Sequence, residues 1–278
     1  MSFAVALAGG GERVVAWEVG VLAGLADGGL DAREAEVVLG TSAGALVAAR
    51  AAAGIDPRED AGRVRASRHS TADFAALAAA WEAAGSTTAE RRRAFGRLAF
   101  ERSPGGEEAA VAGVASRLPG DAWPPSLRVA AVHARTGARV VFDAGSRVPL
   151  ARAVAASRAV PGLRSPVEIA GRPYIDGALG SATNADALAG AASPIVIVAA
   201  LSVDAADGLD RLWLAALDDE VERLERTGHA VVVVPASRED REAMGPDPMS
   251  GATAPMAAAA GRERGRAVAA QIRPRRAA

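Results

Sequence analysis

The chain contains no cysteine and no lysine. The first absence excludes disulfides, thiolate nucleophiles and cysteine-based metal sites. The second excludes Schiff-base chemistry and a serine–lysine mechanism. Aromatic residues make up only 4% of the 278 positions, while half are apolar. A sizeable core is therefore available, built from Ala, Val and Leu in closely packed α/β layers. No run approaches the roughly 18 to 20 apolar residues of a membrane span. "MSFAVALAGGG" has no basic stretch before its short apolar run, so it reads as a first strand and not as a secretory signal, and the cytoplasm is the expected location. Charge of one sign is also missing: 32 basic residues face 33 acidic ones. No bulk field draws this protein to nucleic acid.

The patterning that remains is α/β. Phe3–Gly11 reads as a buried strand entering a glycine loop. The helix that follows places Trp17, Val21, Leu22 and Leu25 at helical spacing and stops at Gly28 and Gly29. "AEVVLG" is a second short strand, and "AGALVAARAAAG" a second helix ending at Gly54. Two strand–loop–helix units in succession predict parallel neighbours with helical crossovers. Residues 56–118 change character and read as a helical insertion, with "TADFAALAAAWEAAG" and the arginine-rich "AERRRAFGRLAFER" as amphipathic helices. Strand patterning returns over Ser126–Gly145, as a hairpin turning at Thr136-Gly137. A helix then runs to Pro161. Val167–Gly177 holds a short strand, a turn and a second extended stretch. Ser193–Leu201 and Ala230–Ser237 are apolar strands joined by a helix over 209–227. The whole reads as one domain, with a C-terminal helix at about 255–278 whose end frays.

Two glycine-bounded stretches carry the chemistry. In "GTSAG", Ser42 stands between Gly40 and Gly44, after a strand and before a helix. That is the arrangement of a nucleophile elbow: the turn is sharp, the serine is exposed on it, and the flanking residues must be small for strand and helix to pass. Read alone, it is equally a tight turn with Ser42 as helix N-cap. Gly9-Gly10-Gly11 lacks the lysine of a phosphate-binding loop, and Val14 stands where a dinucleotide fingerprint has glycine. The remaining readings are a glycine-rich turn and a backbone oxyanion hole beside the elbow.

A serine nucleophile needs a base. His69 lies among arginines and reads as a solvated face. His133 lies inside a strand. His229 stands at the amino end of a strand, the wrong edge of a parallel sheet to meet the elbow. Asp176, before Gly177 in "YIDGALGSATNAD", is the better candidate; its alternative is a turn aspartate in an Asp-Gly hairpin.

Taken in order, the glycine loop with "AWEVGVLAGL", then "GTSAGAL", "AASRAVPG" and "YIDGALGSATNAD" resemble the patatin-like phospholipases in their bacterial form. The resemblance runs from about Phe3 to Leu201 and weakens through 56–118. It implies a three-layer α/β/α sandwich with a mainly parallel sheet and a Ser–Asp dyad. Ser42 would be the nucleophile and Asp176 the base, with Gly177 and Ala178 completing the aspartate motif. Gly9, Gly10, Gly11 and Ala43 would form the oxyanion hole. It implies hydrolysis of phospholipid or related acyl esters through an acyl-enzyme, with no metal or other cofactor. Arg13 resembles a basic residue the family often carries near this loop, which favours an anionic group there. Val14 departs from the family's loop pattern.

Two other readings stay beside this one. A catalytically silent member of the fold would bind lipid or a protein partner. A Ser–His–Asp hydrolase would use His229, but it predicts several strands before the elbow, and here there is one. Arg91–Arg93 and Arg97 read as a solvated face or as a transient contact with an anionic lipid surface.

Overall fold

The computed structural model describes residues 2–67, 88–201 and 208–272. His69 and the expected helix over 71–85 lie outside them. Eight strands form one sheet: β1 (Ala4–Leu7), β2 (Val37–Thr41), β3 (Leu127–His133), β4 (Arg139–Phe142), β5 (Val167–Ile169), β6 (Arg172–Asp176), β7 (Ile195–Ala199) and β8 (Val231–Pro235). They pair in the order β5-β6-β3-β2-β1-β7-β8, with β4 also on β3. Strands β3, β2, β1, β7 and β8 are parallel; β4, β5 and β6 pair antiparallel. The helices are α1 (Glu12–Asp27), α2 (Ala43–Ala52), α3 (Pro57–Arg63), α4 (Thr88–Glu101), α5 (Glu107–Ala115), α6 (Leu150–Ser157), α7 (Gly208–Arg226), α8 (Arg238–Met244) and α9 (Ala254–Ile272).

The central strands are buried on both faces, as parallel strands under helical crossovers must be. Alternation along β1 divides the core. Phe3, Val5 and Leu7 pack with residues of α1, α2, α6 and α9. Ala4 and Ala6 face the other way, toward Leu217 and Leu224 of α7 and Leu188. This is the three-layer α/β/α arrangement with a mainly parallel sheet that the sequence implies. Helix α4 covers β3 and β6 with Phe95 and Leu98, leaving Arg93 and Arg97 exposed.

Small residues let helices and strands approach closely. Along α1, Gly20 and Gly24 face the carbonyls of Ala258 and Arg262 on α9 so nearly that a Cβ would overlap them. Gly261 and Gly265 return the fit against the Trp17 and Val21 carbonyls. The C-terminal helix thus runs over Ala254–Ile272 and is fitted to α1, while the remainder of the stretch expected as helix, 273–278, lies outside the described residues. Its pattern looks weak because small residues, and not large apolar ones, make the contact.

The register around β3 positions the site. β4 pairs with Val129–Val132, β2 with Leu127–Ala130 and β6 with Ala131–His133. Because β4 overlaps both other partners, β2 and β6 must share the opposite edge of β3, end to end. Thr41 ends β2 opposite Ala130, and Asp176 ends β6 opposite Ala131. Two strands running in opposite directions therefore finish nose to nose.

Candidate active site

Ser42 follows Thr41 at that junction. Its backbone is at φ 52° and ψ −112°, a conformation that side chains rarely adopt. The turn is enforced by close packing: a Cβ on Gly40 would overlap Ala45 and Gly44, and a Cβ on Gly44 would overlap the Leu7 carbonyl. The Ser42 N–H donates to Ser157 Oγ at 2.8 Å, which helps hold the strained residue. Ser42 Oγ donates to Asp176 Oδ2 at 2.6 Å, and both residues are buried. The other carboxylate oxygen of Asp176 accepts the Ala178 N–H at 2.8 Å. Burial pushes the Asp176 carboxyl up to about 6, against the opposing pull of the Ser42 and Ala178 hydrogen bonds and the Arg158 and Arg164 charges.

The loop after Asp176 is fastened back to the elbow. Gly177 lies so near the Ala130 carbonyl that a Cβ would overlap it. Asn184 Nδ2 donates to Thr41 Oγ1 at 3.1 Å and to the Gly177 and Ser181 carbonyls at 3.4 and 2.7 Å. One buried amide thus ties the residue before Ser42 to the residue after Asp176. Glu220 of α7 accepts from Thr183 Oγ1 and, at 2.9 Å, from the Ala185 N–H.

The glycine loop after β1 lies beside Ser42. Gly9 is there for close approach: an added Cβ would stand 2.9 Å from Ala178 Cβ and 3.2 Å from Ser42 Cβ. Its N–H is committed to the Ala182 carbonyl at 2.8 Å. Gly9 therefore shapes the glycine loop by its close approach to Ser42 and Ala178, with its own N–H already bonded. Gly11, at φ 86°, caps the N-terminus of α1, and Ala43 begins α2. Two helix N-termini, with the positive ends of their dipoles, converge on the serine. Val14 is buried, and its Cγ2 lies 2.6 Å from where a Cβ on Gly10 would stand, so it packs down onto the loop.

Sequence reasoning did not single out Ser157, Arg158, Arg164, Glu12 or Asn184. Arg158 is buried and paired with Glu12, whose carboxylate also meets Arg117 at 3.3 Å and Arg164 at 3.5 Å. Arg13 donates to the Gly245 and Pro246 carbonyls at 2.9 and 3.2 Å. It fastens the segment that carries Met249 over the site. The pocket at Ser42 is lined by Gly11, Glu12, Ala43, Arg158, Arg164 and Met249 and holds about 10 Å³ of open space, roughly one water molecule.

The two described histidines stand elsewhere. His133 Nδ1 accepts the Thr136 N–H in the β3–β4 turn, and His229 meets the Ala189 carbonyl at the amino end of β8. Among the described residues no group of three or more His, Asp or Glu could hold a metal ion, and no helix is long and apolar enough to cross a membrane.

Among solved structures, the chain is similar to VipD from Legionella pneumophila, at 12% identity and a TM-score of 0.49, covering 97% of this chain and 67% of that one. It is similar to the type III effector protein ExoU at 18% identity and a TM-score of 0.43, covering 97% and 53%. For ExoU from Pseudomonas aeruginosa in complex with SpcU the identity is 17% and the TM-score 0.42, covering 98% and 52%. The chain spans about half the length of those ExoU chains. No curated protein sequence matches it. A family model described as patatin-like phospholipase matches residues 5–189, a stretch that includes the glycine loop, the elbow, Asp176 and Asn184, and the chain belongs to the patatin-like phospholipase family.

Proposed function

We propose that this protein is a serine acyl hydrolase that cleaves ester bonds of phospholipids or related lipids through a Ser42–Asp176 dyad. The observation that carries the reading is the 2.6 Å hydrogen bond from Ser42 Oγ to Asp176 Oδ2 in a buried site. Ser42 Oγ attacks the ester carbonyl while Asp176 takes its proton. The N–H groups of Gly10, Gly11 and Ala43 hold the oxyanion. Collapse of the tetrahedral intermediate breaks the ester C–O bond, and the leaving alcohol takes the proton from Asp176. A water then attacks the acyl-enzyme with Asp176 again as base, which frees the carboxylic acid and restores Ser42. A carboxyl near 6 is mostly ionised at neutral pH and still basic enough for this task.

One observation favours a second reading, a silent fold that binds lipid or a partner. The pocket has room for little more than one water molecule, with Met249 over it. The hydrolase reading therefore requires the Met249 segment to move when substrate enters. Labelling with a fluorophosphonate, wild type against Ser42→Ala, decides between them. A Ser42-dependent adduct with ester turnover supports the hydrolase. Neither adduct nor turnover of short- or long-chain esters would sink it.

A further inference from the structure

Among the described residues, the arginines around Glu12 outnumber the carboxylates they face. Arg158 and Arg164 meet one oxygen of Glu12, and Arg117 meets the other. The Glu12 and Arg158 side chains are nearly sealed from solvent, at 6% and 5% exposure, whereas Arg164 keeps 28%. Three guanidinium groups against one carboxylate leave two positive charges, and ionised Asp176 offsets one. Glu18, fully buried nearby on α1, does not offset the other, because burial drives its carboxyl toward the neutral form. A structural ion pair needs one arginine per carboxylate; of the three here, Arg158 and Arg164 lie in the wall of the pocket that holds Ser42, and Arg117 lines a separate cleft on the other side of Glu12. Arg158 Nε is buried without a hydrogen-bond partner, so this guanidinium has donor capacity left.

Arg164 is placed to change partners. Its backbone is fixed, because the Leu163 and Arg164 N–H groups both donate to the Val160 carbonyl, at 3.0 and 2.9 Å, while its side chain stays partly exposed and free to swing. Its contact to Glu12, at 3.5 Å, is the longest of the three. Guanidinium forks match phosphoryl oxygens in a bidentate way that a single ammonium does not.

We propose that Arg158 and Arg164 form an oxyanion subsite that takes a phosphoryl group carried by the ester substrate, with the Glu12 carboxylate, held from its other side by Arg117, as the placeholder in its absence. This rests on the hydrolase reading and deepens it. The substrate is an acyl ester whose alcohol part bears a phosphate close to the scissile bond. Arg164 turns from Glu12 to the phosphoryl oxygens, and Arg158 stays as the fixed charge behind it.

The test uses two esters with the same acyl chain, a monoacylglycerol phosphate and the neutral monoacylglycerol. Turnover is measured for wild type, Ser42→Ala, Arg164→Gln and Arg238→Gln, the last an exposed charge control on α8. Wild type should prefer the phosphorylated ester. In Arg164→Gln the ratio of kcat/KM, phosphorylated over neutral, should fall about tenfold, mainly through KM, and in Arg238→Gln it should hold. Ser42-dependent turnover without preference between the esters overturns the subsite and leaves the hydrolase reading intact. Absence of Ser42-dependent turnover sinks the hydrolase reading instead. The subsite is then judged by calorimetry with inorganic phosphate and glycerol 3-phosphate. No binding, or binding that Arg164→Gln leaves unchanged, overturns it. Arg164-dependent binding of inorganic phosphate, without any preference for the phosphorylated partner, means a free-anion site and overturns the assignment to substrate.

Discussion

Ser42 and Asp176 are 134 residues apart in sequence and 2.6 Å apart through Oγ and Oδ2. They meet because β2 and β6 end against adjacent residues of β3, Ala130 and Ala131. If Ser42 is the nucleophile and Asp176 its base, Ser42→Ala and Asp176→Asn should each lower kcat/KM on an acyl ester by about 10³-fold or more. Circular dichroism should show both variants folded. Full activity in Asp176→Asn, with His229→Ala inactive, would move the base to the histidine.

Turnover should rise with pH through an apparent pKa close to the value of about 6 at Asp176, then level off. Stability should run the other way. The Asp176 carboxyl ionises near 4 when unfolded and near 6 when folded, so the fold loses stability as pH climbs between those values and loses no more above them. The loss is of order 3 kcal/mol. Asp176→Asn removes it. At pH 8 the variant should unfold at higher denaturant than wild type, and at pH 4 the gap should close. A gap that is the same at both pH values would refute a raised carboxyl.

The strained backbone of Ser42 makes a separate prediction. At φ 52° and ψ −112°, glycine is at ease and serine is not. Ser42→Gly should therefore be more stable than Ser42→Ala by about 1 kcal/mol, since alanine keeps the strain. Equal midpoints in urea would mean that the elbow stores none.

Glu12 should be costly to remove. Glu12→Ala leaves buried Arg158 without its carboxylate, and breaking a buried pair in this way costs about 3 to 5 kcal/mol. Glu59→Ala, which breaks the exposed Arg63 pair on α3, should change stability by less than about 1 kcal/mol. Denaturant melts of the two variants give the comparison directly.

The α1–α9 contact should not tolerate a methyl group. Gly24→Ala drives a Cβ into the Arg262 carbonyl, whereas a Cβ on Gly190 meets nothing within 4 Å. The first change should destabilise by about 1 to 3 kcal/mol and the second hardly at all. A Gly24→Ala variant that melts with wild type would show that the two helices can separate at little cost.

The sequence alone determined the architecture and the identity of the dyad candidates. Buried apolar strands, each followed by a helix, leave few arrangements besides a parallel sheet between helical layers. Ser42 was legible because a strand-to-helix elbow demands small residues at fixed offsets, and Gly40 and Gly44 supply them. Asp176 was legible as a candidate partly by elimination, since His69 reads as a solvated face, His133 as a strand residue and His229 as standing at the wrong edge of the sheet. Val14 looked from the sequence like an intrusion into the glycine loop; in the fold it packs down on Gly10.

What only the tertiary structure decided is who meets whom. Gly9 spends its N–H on Ala182, Arg13 turns to the Gly245 carbonyl, and Arg158 and Arg164 take the place beside Ser42. No local pattern encodes these choices. Helical and strand periodicity report which face of an element is buried, not which distant charge or carbonyl it is buried against. Asn184 shows the limit most plainly. In sequence it is one polar residue in a loop of small ones; in space it joins Thr41 to Gly177 and closes the seam between two strands that meet only because β3 runs beside both.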